Sequence, residues 1–277
     1  MTSHAAPTHV STSEHLLFEK KGPIVTLTIN RPDARNPLGG AEDPANFEAA
    51  RDAINEDREV RAVILTGAGK AFSAGGNVKE MREGSGGFGG PGVQLRERYR
   101  RGIHRIVKAV WGIEVPVVAA VNGPAIGLGN DVACLADTRI ASETAIFGAT
   151  FLRIGLVPGD GGAWLLPRII GMARASELLY TGDTIPAATA KEWGLVSEVV
   201  PADELMPRAE EVAGKIASQA PDVLRMTKQL LRHGMMTSFD NIMELSASMQ
   251  ALAHHTSDHK EALDAFFEKR PAVYKGE

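Results

Sequence analysis

Residues 115–137, VPVVAAVNGPAIGLGNDVACLAD, decide the fold. The run from Val115 to Val121 is apolar throughout and stops at Asn122-Gly123, which reads as a strand buried on both faces. Gly127 and Gly129 then make a tight turn, and the segment continues as a helix through Asp131 and Cys134. Residues 61–81, RAVILTGAGKAFSAGGNVKEM, repeat that order: apolar strand, glycine turn, helix. At such a turn the first N–H groups of the helix have no intrahelical acceptor, and the helix dipole adds positive potential. Two such turns aimed at one place can polarise a single carbonyl oxygen, although either one alone can be a plain connection.

The rest of the chain follows the same layered logic. Residues 22–32, GPIVTLTINRP, alternate Val25, Leu27 and Ile29 with threonines and predict a strand that ends at Pro32. Pro44 to Asn55 predicts a short helix with Phe47, Ala50 and Ile54 on one face. Arg82 to Gly92 is too rich in glycine for regular structure and predicts a mobile surface loop, either a closing flap or a tolerated insertion. One helix is expected from about Gln94 to Trp111, with Ile103, Ile106, Val107 and Val110 as its apolar stripe. TRIAS and AIFGA read as short strands, and LVSEVVP as a closing strand. From residue 201 onward the apolar spacing is helical, in Leu205, Ala209, Val212 and Ile216 and again in Ile242, Leu245, Met249 and Leu252. The expected organisation is a polar flexible leader over 1–14, an α/β core over 15–200, and a helical region over 201–277.

Composition removes several classes. The 277 residues carry a net charge of -4 without a basic stripe, so nucleic acid is not an expected partner. No apolar run approaches a membrane span, and no secretory signal opens the chain. A single cysteine, Cys134, excludes an internal disulfide framework and fits a reducing cytoplasm. His254, His255 and His259 lack metal-ligand partners, so no metal is expected. Spacings for a P-loop, a dinucleotide fingerprint, a serine-hydrolase elbow and a zinc site are absent. Cys134, Trp111, Trp164 and Trp193 read as packing residues.

Six segments in order carry a resemblance: LTINRPDARNPL, RAVILTGAGKAFSAGGNVKEM, VPVVAAVNGPAIGLGNDVACLADTRIAS, FGATFLRIGLVPGDGGAWLLPRIIG, ELLYTGDTIPAATAKEWGLVSEVVP and EALDAFFEKRPAVYKG. Together they resemble the crotonase (enoyl-CoA hydratase/isomerase) superfamily from about residue 15 to the C-terminus. The resemblance implies a spiral of ββα turns and a C-terminal helical trimerisation region, assembled as a trimer or a dimer of trimers. It implies an acyl-CoA thioester substrate and no cofactor beyond the coenzyme A that the substrate carries. The thioester oxygen would sit between the backbone N–H groups of Gly76 and Leu128. Ala34, Arg35 and Asn36, then Lys70, Ala71, Phe72 and Ala74, match segments that line coenzyme A in relatives. Phe266 and Lys269 match a tail motif that reaches the coenzyme A of a neighbouring subunit. Lys70 can equally be a solvated charge, and Lys269 a cation at a helix end.

The acids depart from the family pattern. Family hydratases resemble a two-carboxylate machine. Its first acid falls here on Asp131, and its second on Phe151, which cannot move a proton. Asp160, in PGDGG, is then a second candidate acid or merely a helix N-cap. Asp131 is a catalytic acid or a helix-dipole partner. Hydration of a trans-2-enoyl-CoA leads. Double-bond isomerisation and cleavage of a β-dicarbonyl follow, and a non-catalytic acyl-CoA or RNA-binding relative comes last.

Overall fold

The computed structural model describes residues 8–9 and 13–277. Its elements come in repeated turns. Each contributes one long strand to a main sheet, one short strand to a second layer, and then helix. After β1 (Thr8–His9) and β2 (Leu16–Lys21), the first turn is β3 (Ile24–Ile29), β4 (Pro37–Leu38) and α1 (Asp43–Glu56). The second is β5 (Ala62–Gly67), β6 (Gly75–Gly76) and α2 (Val78–Glu83), extended by α3 (Gly92–Arg101) and α4 (Ile103–Trp111). The third is β7 (Val117–Val121), β8 (Ala125–Ile126) and α5 (Leu128–Leu135). The fourth is β9 (Thr138–Ser142), β10 (Ile146–Gly148) and, after a 3-10 turn at Thr150–Ile154, α6 (Gly162–Ile170). Next come α7 (Met172–Thr181), β11 (Thr184–Pro186), α8 (Ala187–Glu192) and β12 (Glu198–Val200). The chain closes with α9 (Leu205–Ala217), α10 (Pro221–Gly234), α11 (Phe239–His254) and α12 (Ser257–Glu268). This is the expected ββα spiral.

The main sheet runs β1-β2-β3-β5-β7-β9-β12, antiparallel in its first two pairings and parallel thereafter. The unbroken apolar runs of β5 and β7 have a simple cause. Val63, Leu65, Val117, Ala119 and Val121 face the large core, while Ala62, Ile64, Val118 and Ala120 face a second, smaller one. Leu205, Ala209, Ala213 and Ala217 of α9 cover that second face. So α9 belongs to the core of this chain although it falls within the helical region expected over 201–277. Lys228 anchors α10 to the sheet: its buried Nζ donates to Val115 O at 2.6 Å and pairs with Asp137 at 2.7 Å. By contrast α11 has no buried residue. Among the described residues no helix is long and apolar enough to cross a membrane.

Three local expectations change. The single helix expected from about 94 to 111 breaks at Gly102, whose backbone (φ -112°, ψ -99°) is not helical, so α3 and α4 are separate. The loop expected over 82–92 is shorter: Arg82 and Glu83 finish α2, Gly86–Phe88 forms a 3-10 turn, and Phe88 packs on the core. Within the leader, Thr8–His9 pairs with β2 as an edge strand, while residues 1–7 and 10–12 lie outside the described residues.

Candidate active site

Backbone packs directly on backbone where the two glycine turns meet. Gly75 sits at φ +85°, and a Cβ built there would lie 2.5 Å from Ile126 O. A Cβ on Gly129 would lie 2.3 Å from Ser73 O. No side chain fits at either position, and that contact is what lets the turns converge. Ile126 N donates to Ser73 O at 3.0 Å and Ser73 N to Pro124 O at 3.1 Å, which stitches the turns together. Gly76 and Leu128 line one cleft with Ala74, Tyr99, Ile126, Phe151 and Asp160. Leu128 opens α5, so its N–H precedes the intrahelical ladder.

The two acids occupy different places. Asp160 lines the cleft and is almost fully buried. It caps nothing: the N-cap of α6 is Gly161, which makes no side-chain capping bond. Asp131 has no exposed surface and is not among the residues lining the cleft. Its Oδ2 accepts the Gly162 N–H at 2.8 Å, and its Oδ1 accepts Asn130 Nδ2 at 3.3 Å. It therefore binds the N-terminus of α6 from the first turn of α5. Burial first, and then the charge of Asp160, raise the Asp131 carboxyl to about 7. Burial also raises Asp160, opposed by a hydrogen bond from Tyr99 and by His104. Two nearby acids in a dry site resist ionising together.

Sequence reasoning missed Tyr99 and His104. Tyr99 Oη donates to Asp160 Oδ1 at 2.7 Å, and His104 Nε2 lies 3.0 Å from Gly159 O. A signal was present: Tyr99 extends the stripe Ile103, Ile106, Val110 by one turn. Phe151 packs at the cleft wall, beneath the Gly127 backbone.

Asn36 builds the outer rim. It is fully buried and left-handed at φ 55°, and its Nδ2 donates to Ala68 O at 2.8 Å and Ala71 O at 2.7 Å. Its Oδ1 accepts the Arg31 N–H at 2.8 Å, and Ala74 N donates to Arg35 O at 2.8 Å. This knits the Ala34–Arg35 loop to the Lys70–Ala74 loop, leaving Ala34, Arg35 and Lys70 exposed beside the cleft. Ala71 and Phe72 are buried, and the Phe72 ring is a core side chain. Phe266 and Lys269 are exposed at the end of α12 and do not line the cleft.

The fold is a ββα spiral whose two glycine turns meet at one cleft. The profile of the family "Enoyl-CoA hydratase/isomerase" matches residues 19–277. The chain is 38% identical to a short-chain-enoyl-CoA hydratase of Clostridium acetobutylicum, over 92% of this chain and 95% of that one. It is 32% identical to a 1,2-epoxyphenylacetyl-CoA isomerase of Escherichia coli, over 95% and 99% respectively. A crystal structure of an enoyl-CoA hydratase from Bacillus anthracis superposes with a TM-score of 0.88 at 37% identity, covering 95% of this chain and 100% of that one. The chain belongs to the enoyl-CoA hydratase/isomerase family, and it is an enzyme of that family.

Proposed function

We propose that the protein adds water to a trans-2-enoyl-CoA, holding the thioester oxygen between the N–H groups of Gly76 and Leu128. The observation that carries this reading is the backbone contact at Gly75 and Gly129, which brings both turns to one cleft beside Asp160. In the reaction the hydroxyl of water bonds to Cβ as the carboxyl pair takes one proton from that water. The electron pair of the double bond moves onto the thioester as an enolate. The pair then delivers one proton to Cα, giving the 3-hydroxyacyl-CoA with atoms and charge balanced. The enolate oxygen bears more charge than the starting carbonyl, so donors fixed in advance favour the transition state. Each donor is worth about 3–4 kcal/mol.

Asp160 is the acid facing substrate, and Asp131 is the second member, sharing charge with it. Lys70 and Arg35 meet coenzyme A phosphates at the rim. An adjoining apolar chamber of about 430 Å³ takes the acyl tail; it is lined by Met81, Phe88, Leu95, Tyr99, Ile154 and Leu156 among others. The protein assembles as a homotrimer or a dimer of trimers in the cytoplasm. Exposed Phe239, Met243 and Leu252 on α11 support a subunit contact there. Phe266 and Lys269 then reach a neighbour's coenzyme A.

A second reading, a double-bond shift, is favoured by Phe151, which leaves Asp160 as the acid among the residues lining the cleft. One experiment decides. The enzyme is incubated with crotonyl-CoA and trans-2-octenoyl-CoA in heavy water and the products are weighed. Addition of one water supports hydration. Deuterium uptake without water supports isomerisation. No change with either substrate overturns both.

A further inference from the structure

We infer that Tyr99 is a positioning residue for Asp160, fixing one carboxylate oxygen so that the other serves the reacting atoms. This rests on the reading of Asp160 as the proton-transfer group. The Tyr99 phenol, from α3, donates to Oδ1 at 2.7 Å across 61 positions of sequence. Oδ2 has no hydrogen-bond partner among the described residues. Tyr99 also lines both the catalytic cleft and the apolar chamber, so it stands where the two meet.

The geometry is built rather than incidental. The Tyr99 ring rests on the turn that carries Asp160: a Cβ on Gly159 would lie 3.4 Å from its Cε1. The neighbouring His104 ring meets Tyr99 edge to face at 5.5 Å and lies against the Gly159 carbonyl. The break at Gly102 turns α3 relative to α4 between these two side chains. Groups facing Asp160 are therefore Tyr99 from α3, His104 from α4 and Asp131 from α5.

The chemistry follows. Burial and the negative charge of Asp160 push the Tyr99 phenol far above its ordinary range, so it stays a donor at every working pH. A donor to the ionised carboxylate stabilises the charged form and opposes the burial that destabilises it. Tyr99 thus lowers the proton affinity of Asp160 and removes one of its two rotational settings.

The test compares wild type, Tyr99→Phe and Asp160→Asn. The readouts are the 13C-carboxyl NMR titration of Asp160, identified by its loss in Asp160→Asn, and the pH dependence of kcat on crotonyl-CoA and trans-2-octenoyl-CoA. Tyr99→Phe is expected to titrate about one pH unit higher, the order of one lost hydrogen bond. Its kcat should fall about tenfold at pH 7 with little change in KM, and its pH profile should move the same way. Replacing all three tyrosines by 3-fluorotyrosine sharpens the donor and keeps the ring. It should move the titration downward, which tests the bond even if Tyr99→Phe folds poorly. An unmoved titration and profile overturn the inference while leaving the functional reading intact. Full activity in Asp160→Asn overturns the functional reading and this inference with it.

Discussion

The amide N–H of Gly162 donates to Asp131 Oδ2 at 2.8 Å, joining the start of α6 to the first turn of α5 across 31 positions. A Cβ at Gly162 would stand 2.5 Å from Asp131 Oδ1. A side chain at 162 would therefore have to displace the Asp131 carboxylate.

Gly162→Ala is expected to force the carboxylate aside, lowering stability by about 1–3 kcal/mol and cutting turnover at least tenfold. Asp131→Glu should fail for the same reason, through overpacking. Urea midpoints and kcat on crotonyl-CoA check both. Full activity in Asp131→Glu would contradict this packing account.

Stability should depend on pH through Asp131. Its folded carboxyl titrates near 7, well above an unfolded aspartate near 4, so the native state holds the extra proton. Stability from this group is present at pH 4 and lost as pH rises toward 7, by about 4 kcal/mol at most. Urea unfolding of wild type and Asp131→Asn from pH 4.5 to 8 tests it. Wild type should lose ground against the variant up to about pH 7 and then run parallel. Parallel curves throughout would rule it out.

Asn36→Ala removes partners from Ala68 O, Ala71 O and the Arg31 N–H at once. It also puts alanine into a left-handed backbone position. The expected destabilisation is at least about 2 kcal/mol. Because the same bonds hold the rim, KM for the thioester should rise more than kcat falls. The reverse split would show that Asn36 acts on the chemistry instead.

Asp160→Asn and Asp131→Asn should each lower kcat about 10²–10⁴-fold while the protein stays folded. Asp160→Asn is expected to be the more severe, since Asp160 lines the cleft and Asp131 does not. Combining the two should cost far less than the product of the single effects, as for groups that work as a unit. Independent, multiplying losses would argue against a shared proton.

Much of this was written in local chemistry. The runs at β5 and β7, the glycines at 75, 127 and 129, and the acids at 131 and 160 were legible from residue type and spacing. Apolar continuity and φ freedom are properties of short segments. The break at Gly102 was not legible, because a glycine inside a helical pattern gives no sign by itself of whether tertiary packing bends the chain there. The role of Phe72 as core, and of Asp160 as partner of Tyr99 rather than cap of α6, lay equally outside the sequence. Each depends on which atoms from distant segments come into contact. The sequence alone determined the fold, the two glycine turns and the candidate acids. The tertiary structure alone decided which acid lines the cleft, which does not, and which side chain from 61 residues away holds the first, because hydrogen bonds and desolvation act through space.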